Sequence, residues 1–348
     1  MAEKANQHYV PQFYFRYFSK NGKSINLLNR KNGKTVSGAS IKGQASKKYF
    51  YGNKNAENAL SRIETHFCRA LLEFRETFDL RSCSERTYAS VLQNVMLQSA
   101  RTASARSKSK LMNDRFYQLH LECEVNNDQT LSEAERVALI DTARSAVADA
   151  KASQALLMKV AVEESGCLFD LYPLVVENKT SRPFIFGDAP VVKINPFMKK
   201  VTTRGVLGMR SAGLMVIYPL NPTKCLILLD VVAYRIKKFR EGIYPIRSLA
   251  DVAALNKLQI HNALSTVYFD DMKYSKYVES LWRDEKSSLC DHQGKVVEAP
   301  GFYHDGEDAG DIMHAYEPQL PLIPNLSFLD YKEFDPQEFD FITRENYA

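Results

Sequence analysis

The sequence predicts an α+β fold, with a helical bundle over about residues 55–165 packed on a mixed or mainly antiparallel sheet over about 167–270. Two observations carry that expectation. From about Asn55, Leu60, Ile63, Phe67, Leu71, Phe74 and Phe78 recur at threes and fours, the period of one helix face. Past Gly166 the chain changes to runs of Val, Ile, Leu and aromatics bounded by turn residues. The links between these runs are too short for repeated βαβ units.

The elements follow in order. His8 to Phe18 packs one histidine, one proline and six aromatics into eleven residues. Pro11 fixes its own φ and drives Val10 out of the helical region, so the stretch enters extended. Phe13, Tyr14, Tyr17 and Phe18 then give a short aromatic-faced helix. Ser24 to Asn29 and Thr35 to Ile41 read as a hairpin about Gly33, and Lys47 to Tyr51 as a further extended piece. A second long helix starts near Ser84 and runs on past Leu119 to the Asn126-Asn127-Asp128 break. Ser132 with Glu135 forms a capping box that opens a third, extending to Val160. Strands are expected at Cys167 to Val176, Pro183 to Ile194, Gly213 to Tyr218, Lys224 to Leu229 and Leu264 to Phe269. Helices are expected from Ser248 and from Tyr274 to Arg283. Residues 1–283 then make a single α+β domain, and 284–348 an acidic, loop-rich tail packed on the body.

Composition narrows the function classes. Of the 348 residues 45% are hydrophobic, enough for a large core, yet no run of about twenty apolar residues predicts a membrane span. Residues 1–7 lack an apolar signal core, and six scattered cysteines form no C-x-x-C pair. The expectation is therefore a cytoplasmic protein with reduced thiols. The net charge of +5 hides a polarity: residues 1–50 carry ten Lys or Arg against Glu3, whereas 284–348 carry fifteen acids against four bases. The ends are expected to attract each other. The basic end leaves two readings open, a solubilising face or a nucleic-acid footprint.

No phosphate loop, dinucleotide fingerprint, nucleophile elbow or H-E-x-x-H occurs. Four constellations remain. Glu57 and Glu64, two helical turns apart, share a face and can hold a divalent metal or merely fill a surface. Gln98 and Arg101 lie one turn apart beside the basic run Arg101, Arg106, Lys108 and Lys110, a candidate nucleic-acid contact. Asp188 sits at a strand end between Gly187 and Pro190, where a rigid strand can aim a catalytic acid. His304, Asp305, Asp308, Asp311 and His314 resemble a metal loop without matching any calcium spacing. His8, Asn58 and His66 also follow the order of a His-Asn-His nuclease, although His66 falls on a long amphipathic helix.

The stretch His8-Tyr9-Val10-Pro11-Gln12-Phe13-Tyr14-Phe15-Arg16-Tyr17-Phe18 resembles the H-x-V-P-Q-x-Y-L-x-x-F signature of the prokaryotic domain-of-unknown-function 4238 family. Phe184 to Val192 is similar to its F-I-x-x-D-x-P-V segment, and Tyr218 to Pro222 to its Y-P-L-S-P segment. The likeness spans roughly residues 5–270. Phe15 stands where leucine is usual and Gly187 where a small polar residue is usual. The resemblance implies a bacterial, intracellular protein, an association with mobile elements or phage defence, and no particular activity.

Two functions are expected. In the first, the protein is a hydrolase or nuclease-type effector acting on a phosphate-bearing substrate. His8 serves as base, Arg101 stabilises charge, and Asp188 orients His8 or holds a metal, with Gln98 converging on them. In the second it is a non-catalytic module that docks nucleic acid or a protein partner, including a second copy of itself, through the basic N-terminal region.

Overall fold

The computed structural model describes residues 6–52, 54–238, 242–290, 293–302, 306–334 and 343–344, and has the α+β architecture expected. The chain opens with β1 (Asn6–His8), extended as the Val10-Pro11 corner requires. Pro11 then stands at φ −61° and ψ 145° immediately before α1 (Gln12–Phe18). The hairpin β2 (Ser24–Asn29) and β3 (Thr35–Ser40) follows, and β4 (Ser46–Lys48) returns to pair antiparallel with β1.

The helical part is α2 (Lys54–Thr77), α3 (Glu85–Ala100), α4 (Ala103–Asn127), α5 (Glu133–Arg144) and α6 (Ala150–Glu163). Two of the predicted long helices are each broken in two. Arg101 ends α3, and the Thr102 hydroxyl accepts from Ala105 N–H to start α4; Asp149 caps α6 in the same way, accepting from Lys151 and Ala152. Neither break carries Gly or Pro, so the apolar period runs straight through both. The Ser132–Glu135 capping box forms as predicted.

Besides three two-stranded pairs, the described strands form two larger sheets. One is β11 (Tyr244–Ile246), β5 (Tyr172–Asn178), β9 (Lys224–Leu229), β8 (Met215–Asn221) and β7 (Val192–Ile194), antiparallel except for the β11–β5 pair. The other, all antiparallel, runs β3, β2, β12 (Thr266–Phe269) and β6 (Phe186–Gly187). The predicted strand 183–194 is thus two strands in different sheets, parted by Asp188–Val191. The strand expected at Cys167 to Val176 starts only at Tyr172, because Glu164–Leu168 is a 3-10 turn. Helix α7 (Leu249–Asn262) packs on β6, and α8 (Ser275–Glu285) packs on α7. The C-terminal region is more ordered than loop: β13 (Lys295–Phe302) and β14 (Asp308–Tyr316) form a hairpin, and β15 (Leu329–Tyr331) pairs with β10 (Tyr234–Ile236).

The aromatic helix α1 fastens the two parts together. Phe186 lies 4.5–5.2 Å, ring centre to ring centre, from Tyr14, Phe15, Phe18 and Tyr268, and Tyr14 stacks on Tyr218 at 5.1 Å. All six rings are buried. At about 150–250 Å² of surface per aromatic, this cluster is a main contributor to hydrophobic burial at the junction.

A candidate active site beside the first strand

One turn of α3 grips the backbone of the His8 strand. The Arg101 guanidinium donates through Nη2 to the His8 carbonyl and to Glu64 Oε1, both at 2.7 Å. The Gln98 amide donates to the Tyr9 carbonyl at 3.0 Å. Arg101 is 2% exposed. Burial works against its charge, but the Tyr51 hydroxyl and the Glu64 carboxylate outweigh it and raise the pKa above the ordinary arginine value. Both residues predicted on α3 therefore meet the motif, and they do so through its main chain.

The imidazole itself is half-buried and lines a cleft of about 420 Å³ together with Glu57 and Glu64, which share one face of α2 as their spacing predicts. Its Nε2 donates to the Lys42 carbonyl at 3.2 Å, which leaves Nδ1 with the lone pair. Burial pushes the His8 pKa below its ordinary value, against the opposing pull of the Lys42 carbonyl and of Glu64. The same cleft holds Gln12, Arg16 and Arg69, which the sequence reading passed over. A signal was available: Gln12 and Arg16, four apart, form the polar side of an otherwise aromatic helix. Among the described residues, no group of three or more His, Cys, Asp or Glu side chains is arranged to hold a metal ion.

Asp188 lies elsewhere. Its Oδ1 accepts from Leu264 N–H at 2.7 Å and its Oδ2 from Ser265 and Thr266 N–H at 2.9 and 3.2 Å, so the carboxylate caps the link from α7 to β12. Burial pushes its pKa up to about 6. His66 bonds Ser90 Oγ at 2.9 Å and Asn58 is exposed on the same helix, so the two do not form a compact site with His8. His304 and Asp305 of the acidic loop lie outside the described residues, while His314 accepts from Gly205 N–H.

The basic run is largely committed to internal partners. Arg106 lies 3.6 Å from the Phe50 ring centre and donates to Gln154 and to the Phe50 carbonyl. Lys108 pairs with Glu317 at 2.6 Å, and Lys110 with Asp114 one turn on. Of Arg101, Arg106, Lys108 and Lys110, only Lys110 is exposed, so the four do not form one open basic face.

A second, larger cleft of about 650 Å³ lies on the other side of α3, between α4, α6, β7, the turn at 208–211 and the C-terminal hairpin. Gln98 lines it. There Lys108 and Lys193 reach the two oxygens of Glu317 at 2.6 and 2.7 Å, and Lys108 also donates to Asn262 at 3.0 Å. No sequence signal tied Glu317 to these lysines, because 124 and 209 positions separate them.

Fold and site together define an α+β protein that holds a histidine cleft against its first strand by means of a buried arginine. A family model described as "protein of unknown function (DUF4238)" matches residues 6–273, and the chain belongs to that family. No curated protein and no solved structure matches the chain.

Proposed function

We propose that the His8 cleft is the reactive centre of a hydrolase of the nuclease type, acting on a phosphate-bearing substrate, with His8 as general base. The observation that carries this reading is a single one: an imidazole with a lowered pKa and a fixed Nε2–H shares a cleft with two exposed guanidinium groups, Arg16 and Arg69. In the neutral ring Nδ1 carries the lone pair that takes a proton from water or a hydroxyl. Arg16 and Arg69 supply the planar, doubly donating contacts that suit phosphate oxygens. Arg101 is a positioning residue, since its guanidinium is spent on the His8 carbonyl and Glu64. No step requires a metal. Nucleic acid is the substrate class proposed, and a phage-defence effector in the cytoplasm the setting.

The test is turnover of a panel of single- and double-stranded DNA, RNA and a chromogenic phosphodiester. His8→Ala and His8→Gln are expected to lower kcat by about 10²–10⁴-fold. Arg16→Ala with Arg69→Ala is expected to raise KM while sparing the fold. Since the neutral base is the active form, kcat/KM falls as pH drops through an inflection below 6.5, the ordinary histidine value. A wild-type protein inert on the whole panel, or His8→Ala with full turnover, rejects the reading. A silent His8→Ala in a protein that still retains nucleic acid in a salt-dependent manner favours the non-catalytic binding module instead.

A further inference from the structure

We propose that the larger cleft binds a small anion with an apolar body, headed by a carboxylate or a phosphate. This goes beyond the hydrolase reading and concerns a different cavity. At about 650 Å³ it has the volume of a small-molecule site. Its walls are mainly apolar, built from Met96, Met112, Leu157, Val160 and Met209 among others. Its charged groups are Lys108, Lys193, Arg210 and Lys295 against Glu164 and Glu317, a positive excess. An apolar chamber with surplus positive charge favours an amphipathic anion over a neutral apolar molecule, because the low dielectric of the walls strengthens each charge contact.

Two further observations agree. Lys108 and Lys193 already reach the paired oxygens of one carboxylate, that of Glu317, and their side chains are 15% and 19% exposed, so the ammonium groups border the cavity. The Ser104 hydroxyl, on a residue that lines the cleft and is 2% exposed, has no hydrogen-bond partner among the described residues and can donate to an anion. Buried polar atoms left unmatched are uncommon and point to a partner supplied from outside the chain. The wall that completes the cleft, Gly294, Lys295 and Ala315 to Glu317, lies beyond the family match at 6–273. That wall adds Lys295 and Glu317, which cancel in charge, so the positive excess comes from Lys108, Lys193 and Arg210 against Glu164.

Isothermal titration of the full chain tests this with three probes of one apolar body: 1-naphthylacetate, 1-naphthylmethylphosphonate and the neutral 1-naphthaleneethanol. One or both anions are expected to saturate a single site, with the alcohol at least about tenfold weaker. Whichever anion binds identifies the head group. Lys108→Met and Lys193→Met should each weaken binding about tenfold, and Glu317→Gln should tighten it by increasing the positive excess. Because the lysine variants also loosen the C-terminal wall, Val160→Trp provides an independent reading. It fills the half-exposed rim without touching a charge and should abolish binding at unchanged Tm. The proposal is overturned if neither anion binds, if the alcohol binds as well as the anions, or if the lysine variants and Val160→Trp keep wild-type affinity. All of these readouts are independent of turnover at His8.

Discussion

Asp188 illustrates how much of a residue's role is set by atoms far away in the chain. Its position at a strand end is visible in the sequence; its three N–H donors at 264–266 are not. Burial outweighs those donors and raises the carboxyl from 3.8 to about 6. The sign of the linkage follows. Between those two values the folded protein keeps a proton that the unfolded chain has released, so stability falls as pH rises from about 4 to about 6 and levels off above. The shift caps the effect at about 3 kcal/mol. Urea unfolding across that window should therefore show a steeper loss for the wild type than for Asp188→Asn, which cannot titrate. Equal slopes would mean that Asp188 is ionised in the folded state throughout. His8 shows the converse economy, since its carbonyl serves the scaffold through Arg101 while its ring is left to the cleft.

Among the elements, α1 and β6 explain why the family-like segments hold together. The apolar positions of the first motif face the Phe186 cluster while His8 and Gln12 face the cleft, so one short stretch both seals the core and builds the site. The two departures from the family pattern are elements of the same packing. Phe15 meets Phe186 and Tyr268 at 5.2 and 4.8 Å. Gly187 lies so close to the end of α7 that a Cβ there would come within 2.9 Å of Ala263 Cβ and 3.0 Å of the Gln259 carbonyl. Gly187→Ser should thus cost about 1–3 kcal/mol by overpacking, read as a lower urea midpoint at unchanged m-value. A neutral result would show that α7 shifts freely against β6. The helix breaks at Arg101 and Asp149 lie on the same scale. Each is made by a side chain capping the next helix, a signal weaker than the apolar period that runs across it.

Over the whole molecule, three acids of the C-terminal region are engaged by cations from the middle of the chain. Glu298 pairs with Arg115, Glu317 with Lys108 and Lys193, and Asp330 with Arg235 and Lys237. The Gly294 N–H meets the Lys108 carbonyl at 2.9 Å, where a Cβ would stand 2.2 Å from that oxygen. The hairpin β13–β14 is therefore clasped to α4 by charge at two points. Glu298 is substantially exposed, and such a pair contributes at most about 1 kcal/mol. Glu298→Lys should speed amide exchange in 295–302 and 308–316 without moving Tm. A large Tm drop would show that the hairpin supports the core and does not merely lie against it.

By itself the sequence determined the local periods, the caps with a strong signature, the aromatic entry stretch and the family to which it belongs, because these depend on residues within a turn or two of one another. Which strand joins which sheet, which acid neutralises Lys108, and whether His8 or Asp188 faces a cleft were decided by tertiary structure. Each of those outcomes depends on burying groups 34 to more than 200 positions apart in the chain, and the free energy of that burial resides in the assembled contact. No segment carries it alone.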